Sequence, residues 1–271
     1  MRFGMNNPAF LQAAGNATQQ EMDYFYISSG YSNELDFING VLSTMDGVEY
    51  STDKKNWEQL PNTLELSSGT TVFLRNKKKI DFQKELYPET YKLITGSSAP
   101  FTIGGDLIRL IYPSGNIPTR GFYKMFYGTE VGISENGLTL DCDLSPYCFE
   151  SMFESSLYVS SDRVNLPAET LQTGCYKRMF AITESSHESP LLPARVLVDE
   201  CYAEMFANSP GMNRVTCLAT VLNAVESATQ GWITSQPDEG FFVVQMGMES
   251  AWPVASTFGC PEGWSVYPDE G

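Results

Sequence analysis

The sequence predicts an α+β fold: an N-terminal antiparallel β domain over residues 23–105, a short α/β solenoid over 106–220, and a C-terminal cap over 221–271. Three observations carry that expectation. One phrase recurs four times at near-constant spacing in the middle of the chain. Short apolar runs with period two fill the region before it. The region after it returns to single helix-like and strand-like runs without the phrase.

Taken in order, residues 1–22 form an arm. Asn7-Pro8 reads as an N-cap followed by proline at the first helical position, opening a short helix over 9–22 that Gly15-Asn16 interrupts. Too few apolar residues are present for it to fold alone. Phe3, Phe10 and Leu11 are its candidate docking anchors. The opening five residues lack the apolar run of a secretory leader. No stretch reaches the roughly 20 apolar residues of a membrane-spanning helix, so no membrane insertion is expected.

From residue 23 the runs Tyr24-Phe25-Tyr26-Ile27, Leu35-Asp36-Phe37, Val48-Glu49-Tyr50, Leu64-Glu65-Leu66 and Thr71-Val72-Phe73-Leu74 are punctuated by Gly, Asn, Asp and Ser. Such spacing predicts a small antiparallel sandwich, with Tyr50 and Trp57 paired across a hairpin. Arg75-Asn76-Lys77-Lys78-Lys79 is the one basic run, read as a solvated hairpin tip that an acidic partner could use. Residues 82–105 read as irregular linkage ending in a strand, Phe101-Thr102-Ile103. The solenoid sheet is expected to start at Leu107-Ile108-Arg109-Leu110-Ile111.

The repeated phrase comes next. Gly121-Phe122-Tyr123-Lys124-Met125-Phe126 is followed by Cys148-Phe149-Glu150-Ser151-Met152-Phe153, Cys175-Tyr176-Lys177-Arg178-Met179-Phe180 and Cys201-Tyr202-Ala203-Glu204-Met205-Phe206. The methionines stand 27, 27 and 26 residues apart. Ile117, Leu144, Leu171 and Leu197 each precede the Gly/Cys position by four, and Leu-Pro-Ala recurs at 166–168 and 192–194. Cys and Met lie four apart, as do the two aromatics, which predicts one apolar face of a short helix. Lys124, Glu150, Lys177, Arg178 and Glu204 fall outside that face. The runs Leu138-Thr139-Leu140, Val164-Asn165-Leu166, Leu191-Leu192 and Val215-Thr216-Cys217-Leu218 are expected to stack as a parallel ladder. No copy buries its face alone, whereas stacked copies share one core. Past the last copy, residues 221–231 read as a helix, and Phe241-Phe242-Val243-Val244 and Trp264-Ser265-Val266 as closing strands.

Composition narrows function. Thirty-three acids against 17 bases leave a net charge of −16, so nucleic acid and anionic lipid are disfavoured partners. After Arg214 there are seven acids and no base, a pattern that serves solubility or weak divalent-cation binding. Six cysteines lack metal-site spacing. Three of them, Cys148, Cys175 and Cys201, share one repeat position and are expected buried, stacked and reduced.

The phrase Cys-Tyr-x-x-Met-Phe with intervening Leu-Pro-Ala resembles the BspA-type leucine-rich-repeat-like proteins of gut Bacteroidales and their phages. The likeness extends upstream to residues 48–57 and downstream to Gly259-Cys260-Pro261-Glu262-Gly263-Trp264-Ser265-Val266. Where that family often has a further Cys and Leu after Met-Phe, this chain reads Ala181-Ile182-Thr183-Glu184. The resemblance implies a leucine-rich-repeat-like solenoid and a crAss-like phage head fibre or other virion protein.

No enzyme is expected. His187, the single histidine, lies in a Ser/Glu loop without a triad pattern, and no phosphate loop or cofactor motif is present. Acids are abundant, but no pair stands out as a glycosidase pair, so no catalytic residue, metal or cofactor is assigned. Two non-enzymatic readings remain. One is a virion structural subunit, a homo-oligomer (dimer or trimer) docked on capsid proteins and displaying its repeats toward host glycans. The other is a bacterial cell-surface adhesin. Tyr112, Tyr127, Tyr158, Trp232 and Trp252 are the candidates for stacking on a sugar.

Overall fold

The repeats wind as a β-solenoid-like array of about six turns in a chain that is mostly β with few helices. The structure is a computed structural model describing residues 24–83, 92–235 and 237–270. The arm with Phe3, Phe10 and Leu11 lies outside the described residues.

Alternating burial places the strands. In β1 (Phe25–Ser28) Phe25 and Ile27 point inward, and in β6 (Thr71–Asn76) Val72 and Leu74 do. These two strands pair antiparallel, as do β1 and β8 (Phe101–Gly105), and β6 with β3 (Val48–Ser51). The short strand β4 (Glu58–Gln59) closes that edge. A separate small antiparallel sheet joins β2 (Asn33–Asp36) to β5 (Thr63–Leu66) and β7 (Gly96–Ser97).

β8 is also the first parallel strand. It pairs with β9 (Val131–Thr139), which pairs with β10 (Val164–Asn165), so one seven-stranded sheet runs β10-β9-β8-β1-β6-β3-β4. The solenoid sheet therefore starts at Phe101, not at Leu107 as the sequence suggested. Residues Leu107–Ile111 form helix α2, after α1 (Val41–Thr44). The Asp106 side chain caps α2 by accepting the Arg109 N–H at 2.9 Å. Leu107, Ile108, Leu110 and Ile111 are all buried, a helical rather than an alternating pattern.

The remaining expected strands are present. β11 (Glu188–Leu192), β13 (Arg214–Cys217), β15 (Phe241–Val244) and β16 (Ser265–Pro268) form a parallel four-stranded sheet. A further parallel pair joins β12 (Phe206–Ala207) to β14 (Ile233–Thr234). The expected single ladder is thus split between β10 and β11. Side chains cross the gap: Ser161 Oγ donates to the Glu188 carbonyl at 2.6 Å and Ser186 Oγ to that of Val159 at 3.0 Å. On the other side of β11 the register with β13 shifts between Glu188 and Leu191, where the Thr216 N–H bonds the Ser189 hydroxyl at 2.9 Å instead of a backbone carbonyl. The helix expected over 221–231 shrinks to α3 (Val225–Ala228).

The four repeat phrases are not helices. The Tyr123 N–H bonds Arg120 at 3.1 Å, Met125 bonds Phe122 at 3.3 Å and Tyr127 bonds Lys124 at 3.1 Å, each three residues back. The residues between them turn sideways. Phe122, Lys124 and Phe126 donate to Cys148, Glu150 and Met152 of the next coil at 2.8, 3.2 and 2.9 Å. Each phrase is a ribbon of overlapping β-turns, hydrogen-bonded to its neighbour as a strand would be. Every fourth residue is left-handed: Arg120 and Lys124, then Tyr147, Ser151 and Ser155, then Arg178 and Ile182, then Glu200, Glu204 and Asn208, with φ between 52° and 62°. A right-handed helix contains no such residue and directs each N–H four residues back along its own chain.

Inside the coil, equivalent aromatic side chains stack. Phe122, Phe149, Tyr176 and Tyr202 form one ladder with centroids 5.1, 5.8 and 6.0 Å apart. Phe126, Phe153, Phe180 and Phe206 form another at 5.4, 5.7 and 5.8 Å. Such pairs contribute about 0.5–1.5 kcal/mol each beyond their buried area. Met125, Met152, Met179 and Met205 are fully buried beside them. Tyr112 covers the first ladder edge-on at 5.2 Å, and Trp232 and Trp252, stacked at 6.2 Å, close its other end.

The ribbon makes a direct prediction at Lys124. In a helix, Lys124→Gly would cost about 1 kcal/mol. At a left-handed position it should be neutral or stabilising, whereas Lys124→Val should destabilise by about 1–2 kcal/mol. Urea unfolding midpoints of the two variants decide between the geometries.

Candidate functional site

Outward residues of the seven-stranded sheet line a groove of about 480 Å³. Its floor follows from strand alternation. Tyr26 and Ser28 on β1, Thr71 and Phe73 on β6, and Thr102 on β8 point away from the core, with Tyr26 opposite Phe73 and Ser28 opposite both Thr71 and Thr102. Its wall is a bulge. Ile103 pairs with Ile133, but Gly105 pairs with Leu138, so Ser134-Glu135-Asn136-Gly137 loop out of the ladder. Arg163 joins the wall, donating to the Ile133 carbonyl at 3.3 Å.

The floor is hydroxyl-rich and ordered. Ser28 Oγ and Thr71 Oγ1 lie 2.7 Å apart, as do Tyr26 Oη and Ser134 Oγ. Gly104 permits the second contact, since a Cβ there would lie 2.4 Å from Tyr26 Oη and 2.6 Å from Ser134 Oγ. The Lys54 ammonium sits 4.2 Å over the Phe73 ring. Glu135 is the one carboxylate among the lining residues. The groove can therefore donate and accept hydrogen bonds to a polar neutral ligand. It lacks the opposed carboxylate pair of glycoside hydrolysis, and Ser134 bonds a phenol rather than a base.

The aromatic candidates from the sequence scatter. Tyr112, Trp232 and Trp252 are 1%, 1% and 4% exposed and belong to the core. None of the three can stack on a sugar, because each covers an end of the ring ladder. Tyr127 lies on the turn ribbon under Lys124, whose ammonium is 4.8 Å from its ring. Tyr158 is 49% exposed. The sequence reading passed over Phe241 and Tyr267, 46% and 47% exposed, whose rings lie 5.8 Å apart on the outer face of the four-stranded sheet. Adjacent parallel strands of matched register could have flagged them, but only once β15 and β16 were known to be neighbours. His187 is exposed, and its Nδ1 lies 3.1 Å from the Gly211 carbonyl.

The outward side of the turn ribbon carries charge. Arg178 reaches Glu154 of the preceding coil at 2.7 Å and Glu204 of the following one. Lys177 and the Tyr147 hydroxyl both hold Glu200 at 2.9 Å, and Arg120 holds Glu150 at 2.8 Å. Burial acts to raise the Glu154 pKa, but hydrogen bonds from Arg178 and Ser151, together with the charges of Arg178 and Lys124, outweigh it and hold this carboxyl below its ordinary value. Burial pushes the Cys148 and Cys201 thiols up to about 12 and Cys175 well above its ordinary range. All six cysteines are free. Among the described residues no group of His, Cys, Asp or Glu is placed to hold a metal ion, and no helix is long and apolar enough to cross a membrane.

Compared with protein-family models, with curated proteins and with solved structures, the chain finds no match in any of the three.

Two outcomes follow from the electrostatics. Arg178→Met leaves Glu154 almost buried and unpaired, which should destabilise by about 1–3 kcal/mol at pH 7. Because the native Glu154 pKa is depressed, that contribution is present above the ordinary 4.5 and lost as pH falls through the native value. Wild type and variant should converge there in thermal melts. The stacked thiols have the opposite sign: their contribution is full below the ordinary 9.0 and lost as pH rises toward about 12. Intact-mass measurement after alkylation at pH 8 should find Cys148, Cys175 and Cys201 unmodified until urea unfolds the chain.

Proposed function

We propose that the protein is a non-enzymatic display and adhesion module: a phage head-fibre or capsid-decoration subunit whose sheet face binds a host surface glycan. The groove over β6, β1, β8 and β9 is the observation that carries this reading. Its hydroxyls, Asn136, single carboxylate and single guanidinium suit the hydroxyl array of a neutral saccharide. Hydrogen-bonded pairing of β6, β1, β8 and β9 holds that face as a rigid platform. In this reading the arm, through Phe3, Phe10 and Leu11, docks on capsid or other virion proteins as a homo-oligomer. What supports the virion setting is the resemblance to BspA-type leucine-rich-repeat-like proteins, to whose repeat domain the solenoid corresponds in this reading. A second reading uses the same groove on a bacterial cell-surface adhesin.

The tests separate binding from setting. Thr102→Trp should fill the groove and weaken glycan-array binding by about tenfold or more, equivalent to about 1.4 kcal/mol, with an unchanged unfolding midpoint. An unaltered array profile counts against the groove. Mass spectrometry of purified particles should detect the chain stoichiometrically, and its confinement to the cell envelope selects the adhesin.

A further inference from the structure

Charge is sorted along this molecule. Six of the 17 bases fall between Lys54 and Lys79 against two acids, Glu58 and Glu65, a local net of +4 in a chain of net −16. Beyond Arg214 there are seven acids and no base. The fold puts these segments at opposite ends. β6, β3 and β4 are the outer strands of the seven-stranded sheet, and β16 is the outer strand of the four-stranded one.

Each end has a shape to match its sign. At the basic end a cavity of about 480 Å³ is lined by Arg75, Lys77, Lys79 and Arg109, with Asp106 its one lining acid. Arg75 and Lys77 share a single carboxylate, Glu49, at 2.6 and 2.7 Å, so the trio keeps a positive charge. Trp57 fixes the Arg75 guanidinium, stacked 4.0 Å from its ring. At the acidic end β16 pairs, among the described residues, with β15 alone, and its exposed Tyr267 is followed by Asp269 and Glu270. An open edge of this kind is a ready surface for another chain.

We propose that copies of this chain associate head to tail, the β16 end of one copy, through Asp269 and Glu270, seated in the Arg75–Lys79 cavity of the next. Outside these two segments the chain is net acidic, so side-by-side approach is repulsive on balance and unlike ends attract. A contact between different surfaces is heterologous, and it repeats into a ring or an open filament rather than closing a two-fold dimer. The inference is independent of any glycan.

Sedimentation velocity of the full chain tests it. Wild type should form oligomers at about 0.02 M salt and dissociate at about 0.5 M, as the Debye length falls from about 20 to about 4 Å. Lys77→Glu with Lys79→Glu should give monomers, as should Asp269→Lys with Glu270→Lys. Mixing the two reversed proteins should restore assembly, since the acidic end of the first meets the basic cavity of the second. Only folded proteins can do this, so the mixture controls for misfolding. The milder Lys77→Gln with Lys79→Gln should weaken association about tenfold. A wild type that stays monomeric at low salt, oligomers that survive either reversal, or a mixture that stays monomeric would each overturn the proposal.

Discussion

Everything in this structure depends on alternate backbone N–H groups of one coil bonding the carbonyls of the next. The strands do this as any parallel sheet does. The turn ribbon does it as well, through Phe122 to Cys148 and Phe126 to Met152 and their equivalents further along. Each coil is therefore tied to its neighbour on two sides, and equivalent residues must lie directly over one another. That requirement selects the same Cys, Met and aromatic residues at each level, because a stack of unlike volumes would leave voids. The third methionine interval is one residue shorter than the first two. A register shift in β11 at Ser189-Pro190 lies in the same coil and leaves the ring ladders continuous.

The ribbon carries strain. Ordinary residues such as Arg120, Ser151, Ile182 and Glu204 hold left-handed backbone that costs about 1 kcal/mol or more apiece. Lateral hydrogen bonds and stacked rings offset that cost cooperatively, since a single coil has neither. The charged residues at these positions then meet across coils. Arg178, itself left-handed, bridges Glu154 and Glu204 on its two sides. The same backbone feature that strains each coil thus aims its polar side chains at those of the next.

The sheet side is less repetitive, and there the surface acquires individual features. A four-residue excursion in β9 turns a flat hydroxyl-bearing face into a walled groove. The junction of antiparallel and parallel strands at β8 brings residues from β1 and β6 alongside residues from β9, which no repeat unit could do alone. Charge is one-sided only toward the two ends, basic over residues 54–79 and acidic past Arg214, while the coils between them carry both signs.

The sequence by itself determined the period, the four stacked levels, the buried Cys and Met rows and the longer strands. These are consequences of one short phrase repeated at fixed spacing. It did not determine the two-residue strands β4, β7, β12 and β14, nor that Leu107–Ile111 is a helix. Nor could it determine the conformation of that phrase. Side chains four apart share a face in an α-helix and also in a ribbon of turns with every fourth residue left-handed, so Cys148 with Met152 and Phe149 with Phe153 fit both. The difference lies in where the backbone N–H groups go, and the neighbouring coil decides that. Tyr112, Trp232 and Trp252 look like exposed aromatics outside the repeat, yet they end in the core because the ring ladder needs covers at its two ends. The groove was equally illegible, since Tyr26, Thr71, Thr102 and Ser134 are far apart in the chain. Pairing between strands alone makes them neighbours.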